Sequence, residues 1–362
     1  MYKGKQVAVV VPAYNEDRFV GDVIETAPEF VDRIYAVDDA STDDTWAEIR
    51  AATARVNDRR EDPPLATADG GALAEHSPDQ GMPDNVGAAD WEPLGPEADS
   101  DREGPTAVPV RHAQNRGVGA AITTGYRLAA ADRMDVVAVM NGDGQMDPDM
   151  LDRIVDPVVE GRADYAKGNR LARPEYRESM SRWRLFGNTL LTLLTKVASG
   201  YWGTVDPQNG YTAISREAIE ALDLDATYDR YGFCNDVLVR ANVQRFRVVD
   251  VGMPAVYGEE SSHIDYTSFV PRLSLLLAYQ FHWRLRERYL DGGVHPIAAL
   301  YGLGEAGVAT SLLHGVRRAV RGDGDRTADA KGVLAGLLLS LLALLAAVAA
   351  DARTSADLEG EE

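Results

Sequence analysis

The residues best suited to chemistry are Asn141, Asp143 and Gln145, in the run Val139-Met140-Asn141-Gly142-Asp143-Gly144-Gln145-Met146-Asp147-Pro148. Asp143 and Gln145 put a carboxylate and an amide into a glycine-loosened turn. A divalent metal and a diphosphate would be held there. The apolar, β-branched run Val136 to Met140 reads as a buried strand, and Pro148-Asp149 can open a helix. Asp143 and Gln145 then sit at the carboxyl end of a strand, the edge at which α/β sheets take ligands. Asn, Gly and Asp are also ordinary turn formers, so on its own this segment is equally a solvated connection.

Other strands must bring their ends to the same edge for the site to exist. Val7-Ala8-Val9-Val10-Val11 is an apolar strand running into Pro12-Ala13-Tyr14-Asn15-Glu16, and a helical pattern extends from Glu16 through Ile24. Ile34 to Val37 is a second strand, ending in Asp38-Asp39-Ala40-Ser41-Thr42, with Ser41 or Thr42 placed to cap the next helix. A third strand, Val108 to Arg111, leads to the small-residue turn Asn115-Arg116-Gly117-Val118-Gly119 and another helix. Four strand-to-helix junctions thus carry acidic or small polar residues. Each residue has a plainer reading: Tyr14 as packing, Glu16 as a first-turn acid favoured by the helix dipole, Arg170 as a solvated charge, and Asp236 as a helix-capping acid.

Six pieces in order carry a resemblance: Pro12-Ala13-Tyr14-Asn15-Glu16, Val37-Asp38-Asp39-Ala40-Ser41, Asn115 to Gly119, Gly142-Asp143-Gly144-Gln145, Lys167-Gly168-Asn169-Arg170 and Gln208-Asn209-Gly210-Tyr211. Over about residues 5 to 260 the chain resembles the family 2 glycosyltransferases of GT-A fold, and most the branch with the dolichyl-phosphate mannose and glucose synthases. The resemblance implies an α/β domain with a mostly parallel sheet flanked by helices. It implies a nucleotide-sugar donor, GDP- or UDP-linked, held by Pro12, Tyr14, Glu16, Val37, Asp39, Asn141, Gly142 and Arg170. It implies Mg²⁺ or Mn²⁺ on Asp143 and Gln145, and Asp143, Arg170 and Asp236 as the catalytic set. The implied reaction is inverting transfer of a hexose to a polyprenyl (dolichyl) phosphate, with Arg170 facing the diphosphate as a planar, bidentate cation. Two places depart from the family pattern. Asn141 stands where the metal motif has its first Asp, and Tyr257 to His263 contains no Lys where a glycine-serine-lysine element meets the acceptor. Two other functions fit the same residues: a transferase extending a glycolipid or polysaccharide, with Asp236 as general base, and a non-catalytic nucleotide-sugar-binding scaffold.

The rest of the chain bounds these readings. Residues 57–106 lose apolar periodicity and hold thirteen acids against Arg59, Arg60 and Arg102, a net of −10 and half of the chain's −20. Such a segment cannot bury enough surface to offset chain entropy, so it is expected to be a disordered acidic insert within a domain spanning 1–260. Residues 261–293, and Trp183 to Tyr201 before them, mix aromatics with Arg182, Arg184, Arg284, Arg286 and Arg288, as a helix at the headgroup layer does. Residues 294–362 form the membrane region. Gly332 to Ala350 is uncharged and long enough to cross a bilayer; Pro296 to Val316, with Glu305 and His314, is a weaker second span. Because Arg317, Arg318, Arg321, Arg326 and Lys331 lie between the two, the positive-inside rule favours a single span, with the acidic tail across the membrane from a cytoplasmic catalytic domain. Met1 to Lys5 runs straight into the first strand, so no signal peptide is expected.

Overall acidity, with pI near 4.7, excludes a nucleic-acid partner that needs a basic face. A lone cysteine, Cys234, excludes an internal disulfide. Lysine supplies only five of thirty-seven basic residues, and an acidic, arginine-preferring surface resembles that of proteins from salt-loving archaea. A surface of this charge repels itself until salt shortens the Debye length to about 3 Å near 1 M. The melting temperature of the full chain is therefore expected to climb steeply with KCl toward molar concentration; a value indifferent to KCl contradicts that reading.

Overall fold

The computed structural model describes residues 1–61, 106–177, 182–254, 266–290, 293–321 and 326–360. Among the described residues eight strands form one sheet, in the order β3-β2-β1-β4-β6-β5-β7-β8. These are β1 (Val7–Ala13), β2 (Arg33–Asp38), β3 (Thr106–Arg111), β4 (Val136–Val139), β5 (Tyr165–Asn169), β6 (Thr212–Ser215), β7 (Val248–Gly252) and β8 (Glu359–Gly360). Only β6 runs antiparallel, against β4 and β5. Helices cover both faces, which explains why β1 is apolar at every position: Val7, Val9 and Val11 enter one core and Ala8 and Val10 the other. The first core is closed by α1 (Val20–Glu25), α2 (Thr45–Glu61) and α4 (Leu151–Val159), the second by α3 (Val118–Ala131), α6 (Arg216–Ala221) and α7 (Phe233–Val243). Cys234 packs beside this second core, where burial pushes its thiol up to about 11.

Several boundaries differ from the sequence reading. The helix expected from Glu16 begins only at Val20, because Glu16 to Phe19 form a turn in which the Glu16 carbonyl accepts from Phe19 and Val20. Neither Ser41 nor Thr42 caps α2. The Asp43 carboxylate takes the amide of Thr45, while the Ser41 hydroxyl accepts from Asn15 across the junction. Residues 62–105, most of the expected acidic insert, lie outside the described residues, and residues 57–61 belong to α2. Asn57 pairs through both atoms of its amide with the backbone of Ala107, holding together the points where the insert leaves and re-enters.

A third apolar cluster joins the sheet domain to the carboxyl-terminal helices. It combines α5 (Arg182–Ser199), α7, α8 (Tyr266–Tyr289), α9 (Pro296–Arg321) and α10 (Arg326–Ser355). In α9 and α10, Pro296–Arg318 and Lys331–Leu358 are long and apolar enough to cross a membrane, with mean hydropathies of 1.2 and 2.7. They lie antiparallel through small residues. A Cβ on Gly304 would come within 2.5 Å of Leu344, one on Gly307 within 2.2 Å of Ser340, and one on Gly336 within 2.4 Å of Ser311. Beyond α10 the chain returns to the sheet: β8 pairs parallel with β7, and the Glu359 carboxylate accepts the amide of Gly203 at 2.7 Å. The tail through Gly360 therefore lies beside the sheet domain.

The interfacial reading of α8 is also corrected in part. Arg284 is wholly buried rather than facing headgroups, forming a two-pronged ion pair with Asp351 of α10 at 2.7 and 3.0 Å. Its Nε donates to the Ala198 carbonyl of α5, and Tyr289 adds a 2.6 Å hydrogen bond to Asp351. Tyr279 and Arg286 remain exposed on α8; the side chains of Arg182, Trp183 and Arg184 lie outside the described ones. Removing one partner of a buried pair strands the other charge, at a cost of about 3–5 kcal/mol. Asp351→Ala should thus lower the melting temperature of the detergent-solubilised chain sharply, and the double change Arg284→Met with Asp351→Leu should recover most of the loss. Equal melting of Asp351→Ala and the unaltered chain would contradict the pair's structural role.

Candidate active site

Strand register places the chemistry. Ala13 lies opposite Asp38 and Asp38 opposite Arg111, so the carboxyl ends of β1, β2 and β3 finish flush. Gly142, just past β4, donates its amide to the Pro12 carbonyl at 3.0 Å, and a Cβ there would press on Ala13 at 3.0 Å. Pro12, Gly142 and the acidic turn are thereby brought together. Tyr14 stands half-exposed beside them, and the Glu16 amide is fixed by the Thr45 hydroxyl at 2.7 Å. Asn15 takes the left-handed backbone (φ 57°) that turns the chain away from β1.

Asp143 accepts the amide of Gln145 at 3.0 Å, in a turn that Gly144 completes at φ 70°. Burial pushes its carboxyl above the usual range, although the Gln145 amide and the charge of Arg170 act against the shift. The Asn141 Oδ1 is buried with no hydrogen-bond partner, beside Gly210, whose missing Cβ leaves room for it. No cluster of three His, Cys, Asp or Glu side chains occurs among the described residues, so no all-protein metal cage is built there. One carboxylate with an unsatisfied amide oxygen fits a hard cation that draws its remaining ligands from phosphate and water.

Arg170 follows β5 and is held by Asp206. Its Nε and Nη2 donate to the two carboxylate oxygens at 2.8 and 2.9 Å, and its amide donates at 3.1 Å. Burial opposes ionisation of Asp206, but Arg170, and Lys167 behind it, hold its carboxyl below the usual range. Lys167 is itself buried and paired with Asp250 at 3.0 Å. Asp206 and this second pair escaped the sequence reading. The available signal was the Val205-Asp206-Pro207 turn just before the Gln208-Asn209-Gly210-Tyr211 piece.

The β2 end differs most from expectation. The Val37 side chain is fully enclosed in the core and seats the turn from beneath. The Asp39 carboxylate faces inward, accepting the amides of Arg116 and Gly117 at 2.9 and 2.6 Å and meeting His112 Nδ1 at 2.7 Å. Burial disfavours its charge, but His112 and those two amides outweigh burial and keep the carboxyl below the usual range. Asp39 thus fixes the Asn115-to-Gly119 turn that borders the site. His112, with Thr124 on its other nitrogen at 2.9 Å, is a supporting residue that no sequence motif marked.

Asp236 lies in the first turn of α7, not before it. Its carboxylate accepts from the Tyr228 amide at 2.7 Å, from Arg240 Nε at 2.9 and 3.0 Å, and from Gln280 Nε2 at 2.7 Å. Burial raises its carboxyl; Arg240 acts against the rise.

The model of glycosyl transferase family 2 matches residues 8–63 and 97–223, which together hold every junction described above except the Asp236 turn. The chain belongs to this family and is a glycosyltransferase. It is 25% identical over 258 residues to the UDP-N-acetylglucosamine–dolichyl-phosphate N-acetylglucosaminyltransferase of Methanococcus voltae, covering 71% of this chain and 88% of that one. It is 29% identical to the undecaprenyl-phosphate mannosyltransferase of Micrococcus luteus, over 70% of this chain and 85% of that one. To the polyprenol monophosphomannose synthase of Mycolicibacterium smegmatis it is 35% identical, over 48% and 63%.

The Arg170–Asp206 pair gives a pH-dependent expectation. A carboxyl depressed in the folded state contributes stability above its unfolded pKa of about 3.9, and loses that contribution as pH falls through the folded value. Asp206→Asn should therefore be less stable than the unaltered glycosyltransferase at pH 7, with the gap closing as pH falls below about 4. A gap that is constant across that range would show that the pair does not carry the effect.

Proposed function

We propose that this glycosyltransferase moves a sugar from a nucleotide-sugar donor to a polyprenyl phosphate at a membrane surface. The observation that carries the choice of acceptor is the state of Asp236. A sugar hydroxyl needs a general base, whereas a phosphate acceptor is already anionic at neutral pH and needs none. With Tyr228, Arg240 and Gln280 all bonded to it, Asp236 is engaged in structure, which favours phosphate over a glycan hydroxyl. The relatives named for dolichyl-, undecaprenyl- and polyprenol-linked products support the same acceptor class.

In this reading Tyr14 offers a flat surface to the base and Glu16 accepts a ribose hydroxyl. Asp143, with the amide oxygens of Asn141 and Gln145, would hold Mg²⁺ or Mn²⁺, whose charge would offset that of the departing diphosphate. Arg170, pre-set by Asp206, spends no ordering free energy when the diphosphate arrives, and its charge is directed at the leaving group. An oxygen of the acceptor phosphate forms the new bond to the anomeric carbon as the bond to the nucleoside diphosphate breaks, inverting that centre. Two apolar helices, α9 and α10, would hold the domain at the bilayer where a polyprenyl chain resides.

Membranes containing the protein, given labelled nucleotide sugars, polyprenyl phosphate, high salt and Mn²⁺, should move label into the organic phase. EDTA should abolish the transfer and Mn²⁺ restore it, and Asp143→Ala should lower it at least 10²-fold. Label passing instead to soluble glycan acceptors, or transfer unaffected by EDTA, would contradict the proposal.

A further inference from the structure

We propose that Gln280 of α8 and Asp236 of α7 act as a positioning clamp, which joins the membrane-proximal helix to the segment 228–232 bordering the donor site and so sets donor affinity. The inference rests on the donor-binding reading above.

The connection can be followed bond by bond. Gln280 is buried, and its Nε2 donates to Asp236 Oδ1 at 2.7 Å; the other oxygen of the same carboxylate accepts the Tyr228 amide at 2.7 Å. The next carbonyl, that of Asp229, accepts the Ala120 amide at 3.1 Å. A Cβ on Gly119 would meet the Tyr228 carbonyl at 2.4 Å, and one on Gly117 the Asp229 carbonyl at 2.4 Å, so the segment lies directly on the turn that Asp39 holds.

A second contact ties the same segment to α8. Gly232 has φ 124° and abuts Leu273 and Leu276, where a Cβ would lie 3.2 and 3.1 Å from their side chains. Beside the clamp a cavity of about 330 Å³ opens between α7, α8 and the start of this segment, lined by Tyr228, Asp236, Arg240, Gln280 and Trp283. Beside it, the polar bonds on Asp236 and the stacking of Arg240 on Trp283 at 5.1 Å join α7 to α8. The amide orientation of Gln280 is fixed by its partner, since a flipped side chain would set oxygen against carboxylate oxygen. Arg240 leaves Asp236 charge-paired, so the carboxylate has an anchoring role without being a proton acceptor for the reaction.

The test uses the full chain in vesicles at high salt. Gln280→Leu keeps the bulk and removes the donated hydrogen bond. It should raise the donor KM several-fold with kcat retained within about twofold, and speed hydrogen exchange in peptides spanning 226–233. Asp236→Asn should raise the donor KM and speed exchange in the same peptides without removing a limb of the pH–rate profile. Unchanged KM and unchanged exchange in Gln280→Leu would overturn the clamp. So would an Asp236→Asn variant that loses more than 10³-fold in kcat, with its pH limb gone and exchange unaltered, because that is the signature of a general base. If Gln280→Leu does not fold, Gln280→Glu reads the same bond. If the polyprenyl phosphate proves not to be the acceptor, titration with uridine or guanosine diphosphate and Mn²⁺, together with the exchange measurement, still decides the clamp.

Discussion

The in-register parallel pairing of β1, β2, β3 and β4 is the constraint from which the rest follows. Because Ala13, Asp38 and Arg111 are cross-strand neighbours, the turns that follow them emerge at one level, with Gly142 bonded to Pro12 beside them. A one-residue slip would move Val37 to the opposite packed face and turn Asp38 over. Because helices pack on both faces, such a slip sets side chains of the wrong size into each core, at about 1–3 kcal/mol for each misfit. The geometry of the site is therefore a consequence of hydrophobic register, and its polar groups inherit their positions.

Around that edge, buried acids are assigned different tasks by their partners. Asp39 and Asp206 have their charge favoured, by His112 and two amides in one case and by Arg170 in the other, and each fixes a neighbouring segment. Asp143 is raised instead, by burial that its Gln145 amide does not offset. A carboxylate that the protein leaves under-compensated is one that gains from a cation arriving with a ligand. The unpartnered Asn141 oxygen has the same character. Replacing a second carboxylate by an amide keeps an oxygen at that place and lessens the repulsion that Asp143 and a diphosphate would otherwise meet.

Much of this was legible in the sequence. Alternating and continuous apolar runs marked β1, β2 and β4, and small or acidic residues after each marked the functional edge. What sequence could not supply was direction. Nothing in Val37-Asp38-Asp39 says that Val37 is sealed in the core or that Asp39 turns toward His112, seventy-three residues away. The role of Asp206 was hidden for the same reason, since its partner Arg170 lies on a different strand end. The same holds at the carboxyl terminus, where no periodicity in the sequence marks that the tail pairs with β7 as β8. Arg284 looked like a headgroup contact by composition, and only the placement of Asp351 shows it to be an internal ion pair.

The central claim is that Asp143 and its companions at the sheet edge grip a cation and, with Arg170, a diphosphate. The most direct measurement is a structure of the full chain with Mn²⁺ and a nucleoside diphosphate, the metal located by its anomalous scattering. The account predicts a manganese peak at the Asp143 carboxylate, with the diphosphate between it and the Arg170 guanidinium. A peak remote from Asp143, or a diphosphate bound away from Arg170, would contradict it.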